Sequence, residues 1–261
     1  MNAHALKTIP GAIRDCESLE LELSDGATTT LHVASFERAA IRMRVVDVAS
    51  AGTLLRWSQM NGAPDALVGG FFARPQRTPL GELRIGGCRR ETVPFDHPWG
   101  AVRACVHVDG PEVRIARRFE IAAEPTGDLL QAGPLLVRDR CAAVQDGVDT
   151  EGFSAGARQF DSDITRGRYP RAALALTRDR LIAATCEGRA HDQAGMSLSE
   201  LSGALVELGA ESAINLDGGG SASLVYGGRL RNRPREEHGI DIVGGRPIAT
   251  ALVFEPAGYR R

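Results

Sequence analysis

Asn215 to Ser223, read as NLDGGGSAS, hold the densest concentration of residues able to do chemistry. One carboxylate, Asp217, precedes three glycines, Gly218, Gly219 and Gly220, and then a hydroxyl, Ser221. Successive glycines let the backbone approach a ligand closely and turn consecutive N–H groups toward an anion. The structural alternative is a flexible loop in which Asp217 caps its own turn. Other anion contacts must come from guanidinium groups, because Lys7 is the only lysine among 31 cationic residues. Schiff-base chemistry and a phosphate-loop lysine are therefore excluded unless Lys7 supplies them.

A competing constellation is Gly152-Phe153-Ser154-Ala155-Gly156, which fits the G-x-S-x-G elbow of serine hydrolases, with Asp192 or Asp217 and His238 following in order. An elbow needs a strand before its serine and a helix after it, whereas AVQDGVDTE and ARQFDSDITRG are polar and turn-rich. Histidines 4, 32, 97, 107, 191 and 238 show no HxH or HExxH spacing. The acidic sets Asp161/Asp163 and Asp146/Asp149/Glu151 do not fit an EF-hand loop. No GxGxxG fingerprint is present, so neither a metal nor a cofactor is expected. Cysteines 16, 88, 105, 141 and 186 lack CxxC pairing and read as small buried apolar residues in a reducing compartment.

The elements that must position these groups are mostly strands. Ile41 to Val48 (IRMRVVDV) and Val102 to Val108 (VRACVHV) alternate with the period of a strand that has one wet face, which places them in antiparallel sheet. Shorter apolar runs at 66–68, 135–137, 172–176, 181–185, 213–216, 222–226 and 248–254 predict more deeply buried strands. Gly227-Gly228 predicts a two-residue hairpin turn. Ser197 and Glu200 have the spacing of a capping box, Leu201, Ala204, Leu205 and Leu208 follow at helical intervals, and Gly209 stands where that helix must stop. A second helix is predicted from Thr53 to Asn61, ending at Gly62. Strands outnumber helices without regular βαβ alternation, so the fold class is α+β, with a mainly antiparallel or mixed sheet in a single domain over 1–261.

Composition narrows the partners. The 261 residues carry a net charge of −2 and no long run of like charges, which excludes an electrostatic footprint for nucleic acid or an anionic membrane. No stretch approaches the 18 apolar residues of a membrane span, and the N-terminus lacks an apolar signal segment, so a cytoplasmic location is expected.

Several blocks in order resemble the phosphodiester glycosidase family. The helix ending Leu208-Gly209-Ala210 and the segment Asn215 to Ser221 match its L-G-A and N-L-D-G-G-G-S. Val68-Gly69-Gly70-Phe71-Phe72 with Gly81 is similar to its N-G-G-F-F…G, and Gln131-Ala132-Gly133-Pro134 to its Q-x-G-P. Pro170-Arg171-Ala172-Ala173 is similar to P-R-T-A, Glu187-Gly188-Arg189 to D-G-R, and Asn232-Arg233-Pro234 with Arg246-Pro247 to N-x-P…R-P. The resemblance spans about 66–254. It departs at Val68 for asparagine, Ala172 for threonine and Glu187 for aspartate.

The resemblance implies a hydrolase that cleaves the glycosidic bond of a sugar-1-phosphodiester, releasing free sugar and a phosphomonoester. Its partner is then a small glycosyl phosphodiester or glycan, with oligomeric state undetermined. The leaving phosphate has a second pKa of about 6, so holding the anion matters more than protonating it. Arg171, Arg189 and the amides of Gly218, Gly219 and Gly220 are candidates for that grip. An oxocarbenium-like transition state needs a carboxylate, for which Asp217 is the first candidate and Glu187 the second. Asn232 and Ser221 are the expected hydrogen-bonding partners, with Gly70 and Phe72 lining the pocket. Each has a structural reading too: Arg171 and Arg189 as ion-pair anchors, Glu187 as a turn residue, Asn232 as a turn cap, and Gly69 to Phe72 as strand core. A catalytically silent glycan or sugar-phosphate binder, or an exopolysaccharide assembly factor, is the alternative on the same fold.

Overall fold

The computed structural model describes residues 15–48, 50, 52–145, 147–154 and 164–258. Two strands, Arg171–Leu176 (RAALAL) and Arg180–Cys186 (RLIAATC), carry almost no polar alternation because both of their faces are buried. They occupy the middle of a seven-stranded sheet ordered 15–22, 28–37, 180–186, 171–176, 212–215, 135–138 and 141–142. Every pairing in it is antiparallel. One face carries Ala172, Leu174, Leu176, Leu181 and Ile214 into the main core. The opposite face presents Ala173, Ala175, Ala184 and Ala213 to Leu201, Ala204, Leu205 and Leu208 of the helix Leu198–Glu207. Alanine there keeps the sheet surface shallow, so a helix of bulky leucines packs on it without voids.

That helix is capped as its sequence requires. The Glu200 amide donates to the Ser197 hydroxyl at 3.2 Å, and the Ser197 amide donates to the Glu200 carboxylate at 2.8 Å. Gly209 follows with φ +83°. The helix Leu54–Asn61 begins at the N-cap Thr53 and stops at Gly62 in the left-handed region.

Two five-stranded antiparallel sheets complete the core. One is ordered 229–230, 224–226, 66–68, 250–256 and 41–47, and the other 112–117, 104–109, 128–131, 83–85 and 88–89. Met43, Val45, Leu67, Leu252 and Phe254 of the former pack with Val106, Leu130 and the large sheet's inner face. Gly227 and Gly228, both at positive φ, join Tyr226 to Arg229 in the expected tight hairpin. The architecture is α+β, and among the described residues its named strands pair only antiparallel; the single parallel contact is an isolated bridge between Leu80 and Val93.

Some expectations change. The hairpin Asp15–Glu22 and Thr28–Glu37 is not legible as apolar runs, because its outer strand DCESLELE is an acidic sheet edge of the kind that discourages further pairing. The strand expected at 102–108 begins at Ala104 and buries Ala104, Cys105 and Val106 on both faces. Only Cys105 and Cys186 are buried; Cys16 is half-buried, and Cys88 and Cys141 are exposed on short strands at sheet ends.

Candidate functional site

Strand Ser212–Asn215 lies between Arg171–Leu176 and Leu135–Arg138 and delivers the chain to a cavity of about 640 Å³. The departing backbone is tied on both sides: the Leu216 amide donates to the Ala172 carbonyl at 2.8 Å, and the Asp217 amide to the Gly69 carbonyl at 3.0 Å. Asp217 is thus fixed at a strand end, where a reactive group is held by the sheet and still open to the cavity.

The three glycines act differently from the amide cradle expected of them. Gly218 donates its amide to Asp217 Oδ1 at 3.0 Å, and Gly219 to the Pro170 carbonyl at 2.8 Å. Two of the three N–H groups are therefore committed inside the protein. What the glycines provide is proximity. A Cβ at Gly218 would lie 2.8 Å from the Pro170 oxygen, one at Gly219 3.3 Å from Arg189 Nη2, and one at Gly220 2.8 Å from Arg246 Nη2. Gly219 also holds φ +57°, which side chains disfavour. Two guanidinium groups consequently lie flat against the loop.

Four arginines (74, 171, 189 and 246) and three carboxylates (Asp217, Glu236 and Glu237) line the cavity, with Phe71, Phe72 and Tyr169 on its walls. Asp217 is half-buried and lines the cavity. Burial pushes its carboxyl up to about 6, against the lowering effects of the Ser221 hydroxyl, the Gly218 amide, Arg246 and Arg74. Ser221 Oγ is buried without a well-formed hydrogen bond, as is Asn215 Oδ1, whose amide nitrogen donates to the Gly133 and Leu216 carbonyls. Both residues line the cavity.

Several expected site residues are elsewhere. Glu187 is not in the cavity wall. Its carboxylate accepts from Arg235 Nη1 and the Arg233 amide, each at 2.8 Å, and contacts His32 Nε2 at 3.1 Å. Burial opposes its ionisation, but His32, the Arg233 amide and Arg235 outweigh that and hold its pKa below the usual value. Arg235 in turn offers its carbonyl to Arg189 Nη1 at 3.0 Å, so Glu187 supports a cavity arginine indirectly. Arg171 borders the cavity, but its guanidinium donates to the carbonyls of Met196, Ile164 and Gly167 and is a strut, not an open fork. Asn232 braces the exit of the triglycine loop, accepting from the Leu224 amide and donating to the Ala222 carbonyl. Gly70 lies behind the site, its amide donating to Thr250 Oγ1. Phe72, Arg189 and Gly218 to Ser221 do line the cavity.

Arg74, Tyr169, Asn215, Glu236, Glu237 and Arg246 were not assigned from sequence. Arg246 and Asn215 belong to motif blocks, which was a usable signal; the pair Glu236-Glu237 in an arginine-rich turn was a weaker one. Ser154 stands in a turn, its amide donating to Asp149 Oδ2 at 2.7 Å, and is not in the cavity wall. The second half of its elbow pattern lies outside the described residues.

The chain belongs to the phosphodiester glycosidase family, whose model matches residues 61–255. No curated protein matches the sequence. Among solved structures, the zebrafish N-acetylglucosamine-1-phosphodiester alpha-N-acetylglucosaminidase catalytic domain, auto-inhibited by its pro-peptide, shares the fold at TM-score 0.70 and 18% identity, over 95% of this chain and 85% of that one. A Burkholderia pseudomallei protein described as exported matches at TM-score 0.65 and 15% identity, over 88% and 74%. A Synechocystis protein described as hypothetical matches at TM-score 0.61 and 18% identity over 92% of this chain, which spans 61% of that protein's length. Val68 and Ala172, where the chain departs from the motifs, are buried in the main core and do not face the cavity.

Proposed function

We propose that the protein hydrolyses the glycosidic bond of a sugar-1-phosphodiester, with Asp217 acting at the anomeric carbon. The observation that carries this reading is a half-buried carboxylate fixed at a strand end, its pKa pushed up to about 6, facing a cavity lined by Arg74, Arg189 and Arg246. About 640 Å³ suits a small-molecule ligand. The arginines stabilise charge on the departing phosphate, which at its second pKa of about 6 needs little protonation. Phe71, Phe72 and Tyr169 offer apolar surface to a sugar ring. Asp217, ionised above about pH 6, stabilises the oxocarbenium-like centre as nucleophile or as base for water.

A screen of sugar-1-phosphodiesters with detection of free sugar tests the reading. Asp217→Asn is expected to lower turnover at least about 10²-fold while the protein stays folded; turnover retained in that variant overturns the assignment. One observation favours binding without catalysis: Glu187, the second carboxylate, is not in the cavity. Glycosyl phosphodiester affinity unchanged in Asp217→Asn, with no sugar released by the wild type, selects that alternative.

A further inference from the structure

We propose that the Arg246 guanidinium is the phosphate-binding fork of this cavity and that Glu236 is an internal competitor which a phosphate group displaces. The identity of the ligand rests on the glycosidase reading above; the fork and its present occupant do not.

Arg246 Nε donates to Glu236 Oε1 at 3.0 Å, and Nη2 donates to the other carboxylate oxygen, Oε2. Two parallel N–H···O bonds from one guanidinium edge form the geometry with which arginine also grips two phosphate oxygens. Glu236 therefore fills, with the right charge and shape, the place of a ligand anion. Both residues line the cavity that holds Asp217, and the charge of Arg246 already acts on the Asp217 carboxyl. A phosphate taking Glu236's place is delivered to the carboxylate that acts on the sugar.

The two partners are unequally anchored. The Arg246 side chain is 15% exposed, against 43% for Glu236. Arg246 is pressed on Gly220, where a Cβ would lie 2.8 Å from Nη2 and 2.9 Å from Ile242 Cδ1. The Glu236 backbone is pinned independently of its side chain, its amide donating to the Ile240 carbonyl at 2.9 Å. The preceding Arg235 is locked by Glu187 and Asp241, each at 2.8 Å. The Glu236 side chain can swing to solvent while the loop and Arg246 stay in place. Arg189 offers no such exchange at Nη1, because its partner there is the Arg235 main-chain carbonyl. With no ligand bound, Glu236 neutralises Arg246, and only an anion that binds the fork better than this tethered carboxylate enters.

Titration of the full chain with inorganic phosphate, followed by calorimetry at pH 7.5, tests the exchange in four proteins: wild type, Glu236→Gln, Glu237→Gln and Arg246→Gln. Glu237 lines the same cavity, so Glu237→Gln removes the same charge without touching the fork. Glu236→Gln is expected to tighten phosphate binding about tenfold, the gain from freeing a site occupied nine-tenths of the time. Glu237→Gln is expected to change it less than about twofold, and Arg246→Gln to abolish it. Equal gains in the two glutamate variants would reduce the effect to net charge and overturn the proposal. So would weaker binding in Glu236→Gln, absence of binding in both wild type and Glu236→Gln, or binding that survives Arg246→Gln. Glu236→Ala replaces Glu236→Gln if circular dichroism shows that variant unfolded. Phosphate binding is read without turnover, so a failed exchange leaves the free-sugar assay standing, and a failed assay leaves the exchange standing.

Discussion

Arg103 and Arg246 are both largely withdrawn from solvent with a glutamate close by, yet one is a strut and the other faces a ligand cavity. Arg103 is fully buried, its guanidinium sandwiched between Phe95 and Phe153 at 4.1 and 4.2 Å from the ring centroids. It donates to the main-chain carbonyls of Glu151 and Gly152, and burial pushes its pKa down to about 10, which still leaves it charged at neutral pH. The Glu151 carboxylate meanwhile accepts from the Ala104 and Leu135 amides. Phe95 and Phe153 pack with Phe71 and Leu80, which line the cavity, so this cluster builds the cavity's support. Arg246 instead faces the cavity and is bound to a half-exposed side chain. Burial alone does not separate the two; the partner does, since Arg103 is held by main-chain carbonyls and Arg246 by a side chain that can rotate away. Arg171, held by three carbonyls, falls with Arg103.

The sharpest way to break that comparison is truncation of each arginine. Arg103→Ala is expected to destabilise the fold by about 3 to 5 kcal/mol, because it takes the donor from the buried Glu151 and Gly152 carbonyls and empties the space between two rings. At this chain size that lowers Tm by about 6 to 20 °C. Arg246→Ala is expected to cost under about 1 kcal/mol while removing phosphate binding. Equal melting temperatures for the two variants would erase the distinction.

A smaller effect separates the Asp217 carboxylate from carboxylates that stabilise the fold. Its pKa is raised from 3.8 to about 6, so the unfolded chain ionises first and stability falls as pH rises from about 4 to 6. Asp217→Asn removes that penalty. Denaturant unfolding is expected to find the variant more stable by about 2 to 3 kcal/mol at pH 8 and unchanged at pH 4. A loss of stability at pH 8 would mean that Asp217 is held as a favourable anion. The smallest effect belongs to Ser221, whose hydroxyl favours the ionised form of Asp217 while burial opposes it. In Ser221→Ala the acid limb of kcat/KM is expected to move upward from about pH 6 by less than about one unit; a downward move would reverse the hydroxyl's role.

Elements with local causes were legible. The helix at Leu198–Glu207 is bounded by Ser197, Glu200 and Gly209, and the Gly227-Gly228 turn by its two glycines. Asp217, Ser221, Arg189 and Phe72 were identified as site residues and reach the cavity. Glu187, Asn232 and Arg171 were singled out by motif position, and the fold spends their polar groups on the scaffold around it. The partners of Glu187 lie far along the chain, 155 residues away in the case of His32, and no periodicity announces such a pairing; those of Asn232 and Arg171 include near neighbours in sequence, but are set by loop conformations that no local pattern specifies.

By itself the sequence determined the two capped helices, the Gly227-Gly228 turn and the existence of most buried strands, since capping, turn geometry and apolar runs act within a few residues; strand ends and the acidic edge hairpin were set by pairing. It also determined that any anion would be held without lysine, and that Asp217 would precede a loop with no side chains. Only the tertiary structure decided how each arginine is held at the cavity. Packing brought Arg189 and Arg246 against Gly219 and Gly220, and turned Arg171 to three carbonyls. Three glycines that read as a cradle of amides became the flat surface on which two guanidinium groups rest, because the free volume left by a missing Cβ is used by whatever the rest of the chain packs there.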